Sequence, residues 1–112
     1  MKRFKVLVTD AARRDLLSIR SYVSGHDSQS RADTLIERLI SAMETLAEHL
    51  RRGTEPPELR GLGAHSIRQI SCDPYRIVYR IDQRDVMIRL IADGRRDLQS
   101  VLAERLLRTS EG

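Results

Sequence analysis

The sequence has a single cysteine and no long hydrophobic run, and each shortage excludes a class of protein. Cys72 is the only cysteine, so an internal disulfide and a cysteine-based metal cluster are both excluded. The N-terminal apolar run is broken at Thr9 and Asp10, which is too early for a signal-peptide core or a membrane-spanning helix. We therefore expect a cytoplasmic protein that does not enter a membrane.

Lysine is also scarce, and Lys2 and Lys5 are the only lysines. The chain nevertheless has a formal net charge of +4. Arginine therefore carries almost all of the positive charge, and its forked guanidinium group binds phosphate and carboxylate through paired hydrogen bonds. Codon usage in a GC-rich genome produces the same bias without a functional cause. The positions of the arginines in the fold have to decide between these two explanations.

The length of 112 residues suits one hydrophobic core and is too short for two. We expect a single domain over residues 1–108. The polar tail at residues 109–112 is expected to be disordered.

Two runs of β-forming residues, 75–81 and 86–91, flank the polar turn 82–85 and predict a β-hairpin. Successive side chains of a strand point to opposite faces, so the first run has one apolar face and one basic face. The apolar face carries Tyr75, Ile77, Tyr79 and Ile81. The basic face carries Arg76, Val78 and Arg80. The second run places Val86, Ile88, Leu90 and Ala92 on one face of the strand and Met87, Arg89 and Ile91 on the other.

The N-terminal half predicts two amphipathic helices. Thr9 caps the first helix, and Gly25 ends it in a left-handed C-cap. Ser28 or Ser30 caps a longer second helix, which Gly53 and the following prolines stop. The apolar stripes of both helices must pack on an apolar surface, and the apolar face of the hairpin is available.

The remaining segments predict two further strands and a last helix. We expect strands at residues 3–8 and 65–71, and a short C-terminal helix that begins at Asp97. The apolar stripe of this helix packs on the sheet or binds a partner. The predicted fold class is α+β with the order β-α-α-β-β-β, in which two helices pack on one face of a mainly antiparallel four-stranded sheet.

The basic face of the predicted sheet is the one candidate site. This face presents Arg68, Arg76, Arg80 and Arg89. Arg95 and Arg96 follow at the end of the sheet, just after the last predicted strand. Guanidinium groups that converge on an open surface bind a polyanion or an acidic segment of a partner protein. The alternative is that these arginines are only solvated, or that they pair with Asp73, Asp82, Asp85 and Asp93.

No motif indicates a metal or a cofactor. His26, His49 and His65 are too scattered to form a metal site. The segment 61–63 is too short for a phosphate-binding glycine loop, and a predicted strand follows it. No serine or cysteine lies in a recognisable nucleophile setting. We therefore expect no cofactor.

The hairpin and the elements before it resemble a known family. The strand Tyr-Arg-Ile-Val-Tyr at 75–79, the ending Ile-Ala-Asp-Gly-Arg-Arg-Asp at 91–97 and two helices after a first strand are similar to the RelE/ParE superfamily of small bacterial toxins, which includes plasmid stabilization proteins. The resemblance covers nearly the whole chain. It implies the toxin of a type II toxin-antitoxin module, neutralised by a cognate antitoxin whose flexible C-terminal region covers the active surface of the toxin.

The superfamily divides by target, and this chain departs from one branch. RelE-like toxins cleave messenger RNA in the ribosome, and the resemblance maps a transition-state arginine onto Arg76. It also implies a tyrosine or histidine near the end of the last strand, but no Tyr, His or Lys follows Tyr79. Arginine is a poor proton carrier, so an endoribonuclease would need His65, Tyr75 or Glu58 as its acid or base.

The other branch is similar to this chain at residues 94–97, Gly-Arg-Arg-Asp. ParE-like toxins poison DNA gyrase by stabilising the gyrase-DNA cleavage complex, which requires a binding surface and no catalytic set. We therefore favour a gyrase inhibitor that is not an enzyme. The alternatives are a ribosome-dependent mRNA endoribonuclease and a relic that has lost toxicity and only binds the antitoxin.

Overall fold

The chain folds into one four-stranded sheet with helices on both faces. The structure is a computed structural model that describes residues 4–63 and 66–106. The strands are β1 (Lys5–Val8), β2 (Ile67–Cys72), β3 (Tyr75–Asp82) and β4 (Asp85–Asp93). The helices are α1 (Asp10–His26), α2 (Gln29–Glu44) and α3 (Gln99–Leu106). The expected disordered tail lies outside the described residues.

The strand order in the sheet is β1-β4-β3-β2. β1 runs parallel to β4 and the other neighbours are antiparallel, so the sheet is mixed and the predicted α+β order is confirmed. The hairpin turn is tighter than predicted. Asp82 pairs with Asp85, which leaves only Gln83 and Arg84 between the strands. Gln83 adopts a left-handed φ of 57°, as tight hairpin turns require.

Side-chain caps begin both long helices, as predicted. The Thr9 hydroxyl accepts a hydrogen bond from the Ala12 amide at 3.2 Å at the start of α1. The Ser28 hydroxyl accepts one from the Arg31 amide at 3.1 Å at the start of α2. Each cap satisfies a backbone donor that has no partner inside the helix.

The predicted ends of both helices are wrong. α1 continues past Gly25 without a left-handed turn, because Ser28 already caps α2 and the connection is too short for one. α2 ends at Glu44, well before Gly53. There the chain tightens into a 3-10 turn over Thr45–Ala47, in which Leu46 and Ala47 are buried.

Each face of the sheet carries a hydrophobic core, so the expectation of one core is wrong, because the sheet divides the buried apolar residues of this single domain into two clusters. The first core, beneath α1 and α2, contains Ala12, Leu39, Met43, Leu46, Ile70, Ile77, Tyr79, Val86, Ile88 and Ile91. The second core, beneath α3, contains Leu59, Ile67, Val78, Leu90, Leu98, Leu102 and Leu106. The apolar stripe of α3 therefore packs on the sheet. The second face is not the open arginine-lined surface that the sequence predicted, because α3 covers part of it.

A β-bulge in β4 decides which side chain reaches which core. Val78 pairs with Leu90 while the next residue of β3 pairs with Ile88, so Arg89 is an extra residue in the ladder. Because side chains alternate with a period of two, one extra residue moves all later side chains to the opposite face. Leu90 lies in the second core and Ile91 in the first. The alternation predicted for β4 is correct up to Ile88 and wrong after it.

Tyr79 anchors the loop after α2 to the first core. Its side chain is completely buried, and its hydroxyl donates to the Leu50 carbonyl at 2.7 Å and accepts from the Gly53 amide at 3.0 Å. A Cβ atom at Gly53 would lie only 2.4 Å from the Gln69 carbonyl oxygen. Glycine is therefore required where this loop crosses β2.

Replacing Tyr79 with alanine is expected to lower the free energy of unfolding by about 3–5 kcal/mol, because the change opens a cavity under the helices. Tyr22→Ala is the matched control, since Tyr22 is 62% exposed. This control should change stability by no more than about 0.5 kcal/mol. Urea denaturation of both variants measures the difference. A loss well below 1 kcal/mol for Tyr79→Ala would show that the first core is assigned to the wrong face.

Candidate functional site

The six arginines predicted for one surface lie in different surroundings. Arg68 faces the first core, Arg76 and Arg80 belong to the second face, and Arg89 is buried under α3. Arg95 and Arg96 lie in the turn after β4. The prediction of one continuous arginine-lined face is therefore wrong. Each arginine has to be assessed in its own surroundings.

Arg68 has a structural role. It pairs with Tyr79 across two antiparallel strands. Residues opposite each other share a face, so the Arg68 side chain lies on the face that α1 and α2 cover. Its guanidinium donates to the carbonyls of Gly53 and Arg51. These contacts hold the loop that follows α2. The sequence showed the strand β2 but not its register, which decides the face that Arg68 occupies.

Arg76 is held by a carboxylate from the loop before β2. Its two terminal nitrogens donate to the two oxygens of Glu58, and Nη1 also donates to the Gln69 side-chain oxygen at 2.8 Å. The Arg76 and Glu58 side chains are only 13% and 18% exposed. The Arg76 guanidinium lowers the pKa of the Glu58 carboxyl below its ordinary value. The two residues form a bidentate pair, so Arg76 is not a free cation.

The other two arginines of β3 and β4 differ sharply in exposure. Arg80 is exposed at the end of the second face, where it pairs with Ile67 of β2. Arg89, the extra residue of the bulge, is 4% exposed and donates to the Arg105 carbonyl at 3.0 Å. This bond satisfies a carbonyl in the last turn of α3, where cations are favoured. Arg89 is therefore not available to an external ligand.

Arg95 and Arg96 provide the exposed positive charge at the end of β4. Arg95 donates to the Asp93 carboxylate through its backbone amide at 2.9 Å and through its guanidinium at 2.6 Å. These bonds lower the pKa of Asp93 to about 2. The Arg95 side chain remains 75% exposed, and Arg96 is exposed as well. The Asp93 carboxylate thus fixes the backbone of the turn while both guanidinium groups stay accessible.

This turn borders a groove that runs between α1 and α3 above the end of β4, which we call the α1–α3 groove. Its volume is about 640 Å³. The lining includes Asp15, Ser18 and Tyr22 of α1, Ala92 and Asp93 of β4, and Val101 of α3. Burial raises the pKa of Tyr75, which also lines the groove. Hydroxyl, carboxylate, guanidinium and apolar groups therefore meet in one concavity.

One ion pair crosses this groove. Asp15 on α1 accepts two hydrogen bonds from Arg105 on α3, at 2.9 and 3.3 Å. Asp15 also accepts the backbone amide of Ile91 at 3.0 Å, and Arg105 donates to the Arg89 carbonyl at 3.1 Å. Neither residue was predicted from the sequence. No local pattern relates two positions that lie 90 residues apart.

The structure does not bring the predicted ribonuclease residues together. Tyr75 and Arg76 are neighbours on a strand, so their side chains point to opposite faces. Glu58 reaches Arg76 but is engaged with it as an ionised carboxylate. His65 lies outside the described residues. Among the described members of this set, therefore, no free acid or base lies next to Arg76.

The described ranges, 4–63 and 66–106, contain no group of three or more His, Cys, Asp or Glu side chains that could hold a metal ion. No helix within them combines the length and apolar character that crossing a membrane requires.

Comparisons with solved structures show the fold. A structure titled "Chromosomal ParDE TA system from P. aeruginosa" aligns with a TM-score of 0.68 and 15% identity, covering 81% of this chain and 96% of that one. The RelBE2 toxin-antitoxin complex from Mycobacterium tuberculosis aligns with a TM-score of 0.58 and 24% identity, covering 83% and 93%.

Sequence comparison identifies the family. No curated protein matches the chain. A family model described as "ParE toxin of type II toxin-antitoxin system, parDE" matches residues 6–98, which include both long helices, β2 to β4 and all of β1 except Lys5. The expected membership of the RelE/ParE superfamily is thus confirmed, and the chain belongs to the ParE toxin family of type II toxin-antitoxin systems.

Proposed function

We propose that the protein inhibits growth by poisoning DNA gyrase and that a cognate antitoxin neutralises it. The observation that carries this proposal is the exposed Arg95-Arg96 turn beside the α1–α3 groove. Membership of the ParE family supports the toxin role. A toxin directed at gyrase acts in the cytoplasm, which agrees with the expectation from the sequence.

A gyrase poison works by binding, and the electrostatics of this end of the molecule suit that task. Asp93 stays ionised through the physiological pH range, because its pKa of about 2 lies far below it. The turn therefore keeps its geometry, and it presents two guanidinium groups that interact with DNA phosphates or with acidic residues of gyrase. Arg80, exposed at the opposite end of β3, is too distant along the strand to belong to the same contact.

The same comparisons support pairing with a cognate antitoxin. Both structural neighbours bear titles that name toxin-antitoxin systems, and the family model carries the same description. We propose that this chain likewise pairs with an antitoxin encoded in its own module. Neutralisation then requires that the antitoxin cover the arginine-bearing end or prevent its approach to gyrase.

Ribosome-dependent RNA cleavage is the second candidate, and the Arg76 cluster is the observation that favours it. The two terminal nitrogens of Arg76 bind both oxygens of the Glu58 carboxylate, and the Gln69 side-chain oxygen accepts a hydrogen bond from Nη1 of Arg76. The same guanidinium fork suits two oxygens of a phosphate. The Glu58 side chain fills that position in the free protein. Without a free acid or base beside Arg76 among the described residues, we rank this candidate below gyrase inhibition.

The direct test of the proposal is a gyrase cleavage assay with the purified protein. Linear DNA should accumulate with the unaltered protein. Arg95→Ala/Arg96→Ala should raise the concentration required by about tenfold, since two exposed charge contacts of about 0.5–1 kcal/mol each give about 1.4 kcal/mol. Arg38→Ala/Arg84→Ala is the matched control, because it removes the same charge from exposed positions on α2 and the hairpin turn. Equal activity of both double variants would reject the Arg95-Arg96 surface.

The second candidate is tested by adding the folded protein to a translating extract and mapping the ends of the messenger RNA. We expect the messenger to stay intact, because Glu58 occupies Arg76. Cleavage that Arg76→Ala abolishes would instead establish the ribonuclease and overturn the gyrase proposal. Arg80→Ala serves as the control for loss of one arginine from the same face.

A further inference from the structure

Two of the three tyrosines of the chain lie at one end of the α1–α3 groove. Tyr22 of α1 and Tyr75 of β3 both line the groove, whereas Tyr79 is completely buried in the first core. The groove lies beyond the end of β1, which pairs with β4 only as far as Ile88. Tyr22 follows Asp15 by two turns of α1, or about 10 Å along the helix. The groove therefore has an ion-paired end at Asp15 and an aromatic end at Tyr22.

The Tyr22 ring offers an exposed surface for stacking. It stacks on the His26 ring with a centroid distance of 4.1 Å and an interplanar angle of 20°. The Nδ1 atom of His26 lies 2.9 Å from the Tyr22 carbonyl oxygen, which fixes the imidazole one turn further along α1. Tyr22 is nevertheless 62% exposed. Because His26 stacks on one face of the phenol ring, the other face is left for a planar ligand.

The Arg95 guanidinium is held beside the two phenol rings. Tyr75 pairs with Asp93 across β3 and β4, and residues opposite each other share a face of the sheet. Arg95 donates to the Asp93 carboxylate at 2.6 Å. Asp93 raises the pKa of the Arg95 guanidinium, and Tyr75 and Tyr22 raise it further, so both phenols lie within electrostatic range of this charge. Two aromatic rings and a positioned cation therefore meet at one end of the groove.

The charges of the groove favour an anionic ligand. Three arginines, Arg95, Arg96 and Arg105, line it together with two aspartates, Asp15 and Asp93. Both carboxylates are engaged by arginines, Asp15 by Arg105 and Asp93 by Arg95. Arg95 and Arg96 remain exposed at the aromatic end. A ligand with phosphate groups is therefore favoured over a neutral or cationic one.

Aromatic rings next to exposed arginines are the combination with which proteins bind unpaired nucleotides. The base stacks on an aromatic ring, and the adjacent phosphates interact with the positive charges. Paired bases inside a duplex stay stacked on one another and offer no free ring face, so the combination selects an unpaired base. The groove volume of about 640 Å³ lies within the range of about 300–1,000 Å³ that is usual for small-ligand sites.

We propose that the aromatic end of the α1–α3 groove binds one unpaired DNA nucleotide, with the base stacked on Tyr22 and the flanking phosphates on Arg95 and Arg96. The inference deepens the proposed gyrase function, and the choice of DNA rests on that function. A cleaved duplex exposes bases at the break. A base that is stacked on Tyr22 is withdrawn from its neighbours in the duplex, which delays religation and prolongs the cleaved state.

The test measures binding of the purified toxin to a short fluorescent oligothymidylate by anisotropy at one fixed salt concentration. We expect an abasic strand of the same length to bind about tenfold more weakly, because it keeps the phosphates and lacks the bases. Tyr22→Ala should weaken binding of oligothymidylate by about tenfold, and Tyr22→Phe, which keeps the ring, by less than about threefold. Leu17→Ala is the matched control, since Leu17 is 57% exposed on α1 and lines another groove. This control should bind like the unaltered protein.

Tyrosine emission of the unaltered toxin gives a second measurement that does not depend on any variant. The chain has no tryptophan, so its ultraviolet emission comes from tyrosines, two of which line the groove. Oligothymidylate should quench this emission through base stacking, and the abasic strand should leave it unchanged.

The outcomes separate this site from the gyrase proposal. Equal binding of the two strands, unchanged binding by Tyr22→Ala, or no binding of any strand would overturn the nucleotide site. Each of these results leaves the gyrase proposal in place, because the Arg95-Arg96 turn also suits acidic residues of gyrase itself. Tighter binding of oligouridylate than of oligothymidylate would overturn the assignment to DNA. A failed gyrase cleavage assay together with base-dependent binding of oligothymidylate would reject gyrase as the target and retain the nucleotide site.

Discussion

The bulge at Arg89 is the constraint on which the rest of the structure depends. One extra residue in β4 sends Leu90 to the second face and Ile91 to the first, so each face receives an apolar side chain at the end of the strand. The second face can then bind the leucine stripe of α3. Without the bulge, Leu90 would face α1 and the helix α3 would lose its partner in the sheet.

The same bulge creates the candidate site. It turns the Arg89 carbonyl and the Ile91 amide toward the edge that β1 does not reach, and Asp15 and Arg105 satisfy them. The ion pair in turn ties α1 to α3 and sets the width of the groove between them. The arginines are thereby divided by role. Arg76 and Arg89 of the sheet are paired or buried, Arg80 is exposed at the far end of β3, and Arg95 and Arg96 are exposed beside the groove.

Local patterns predicted the elements that local physics determines. The hairpin, the caps at Thr9 and Ser28 and the apolar stripe of α3 follow from residues close together in the chain. The face of Arg68 and the covering of Arg89 depend on strand register and on packing between distant segments. Gly25 lacks the predicted role because the link between α1 and α2 needs no left-handed turn. The Asp15 to Arg105 pair joins positions that no sequence window contains.

The most direct test of this account is a methyl NOE spectrum of the free toxin, because Leu90 and Ile91 report the phase of β4 after the bulge. We expect contacts from the Leu90 methyl groups to Leu98, just before α3, and to Leu102 of α3, and from the Ile91 methyl groups to residues of the first core such as Leu39. The opposite pattern, with Leu90 against the first core and Ile91 against α3, would show regular alternation. It would contradict both the bulge and the groove built on it.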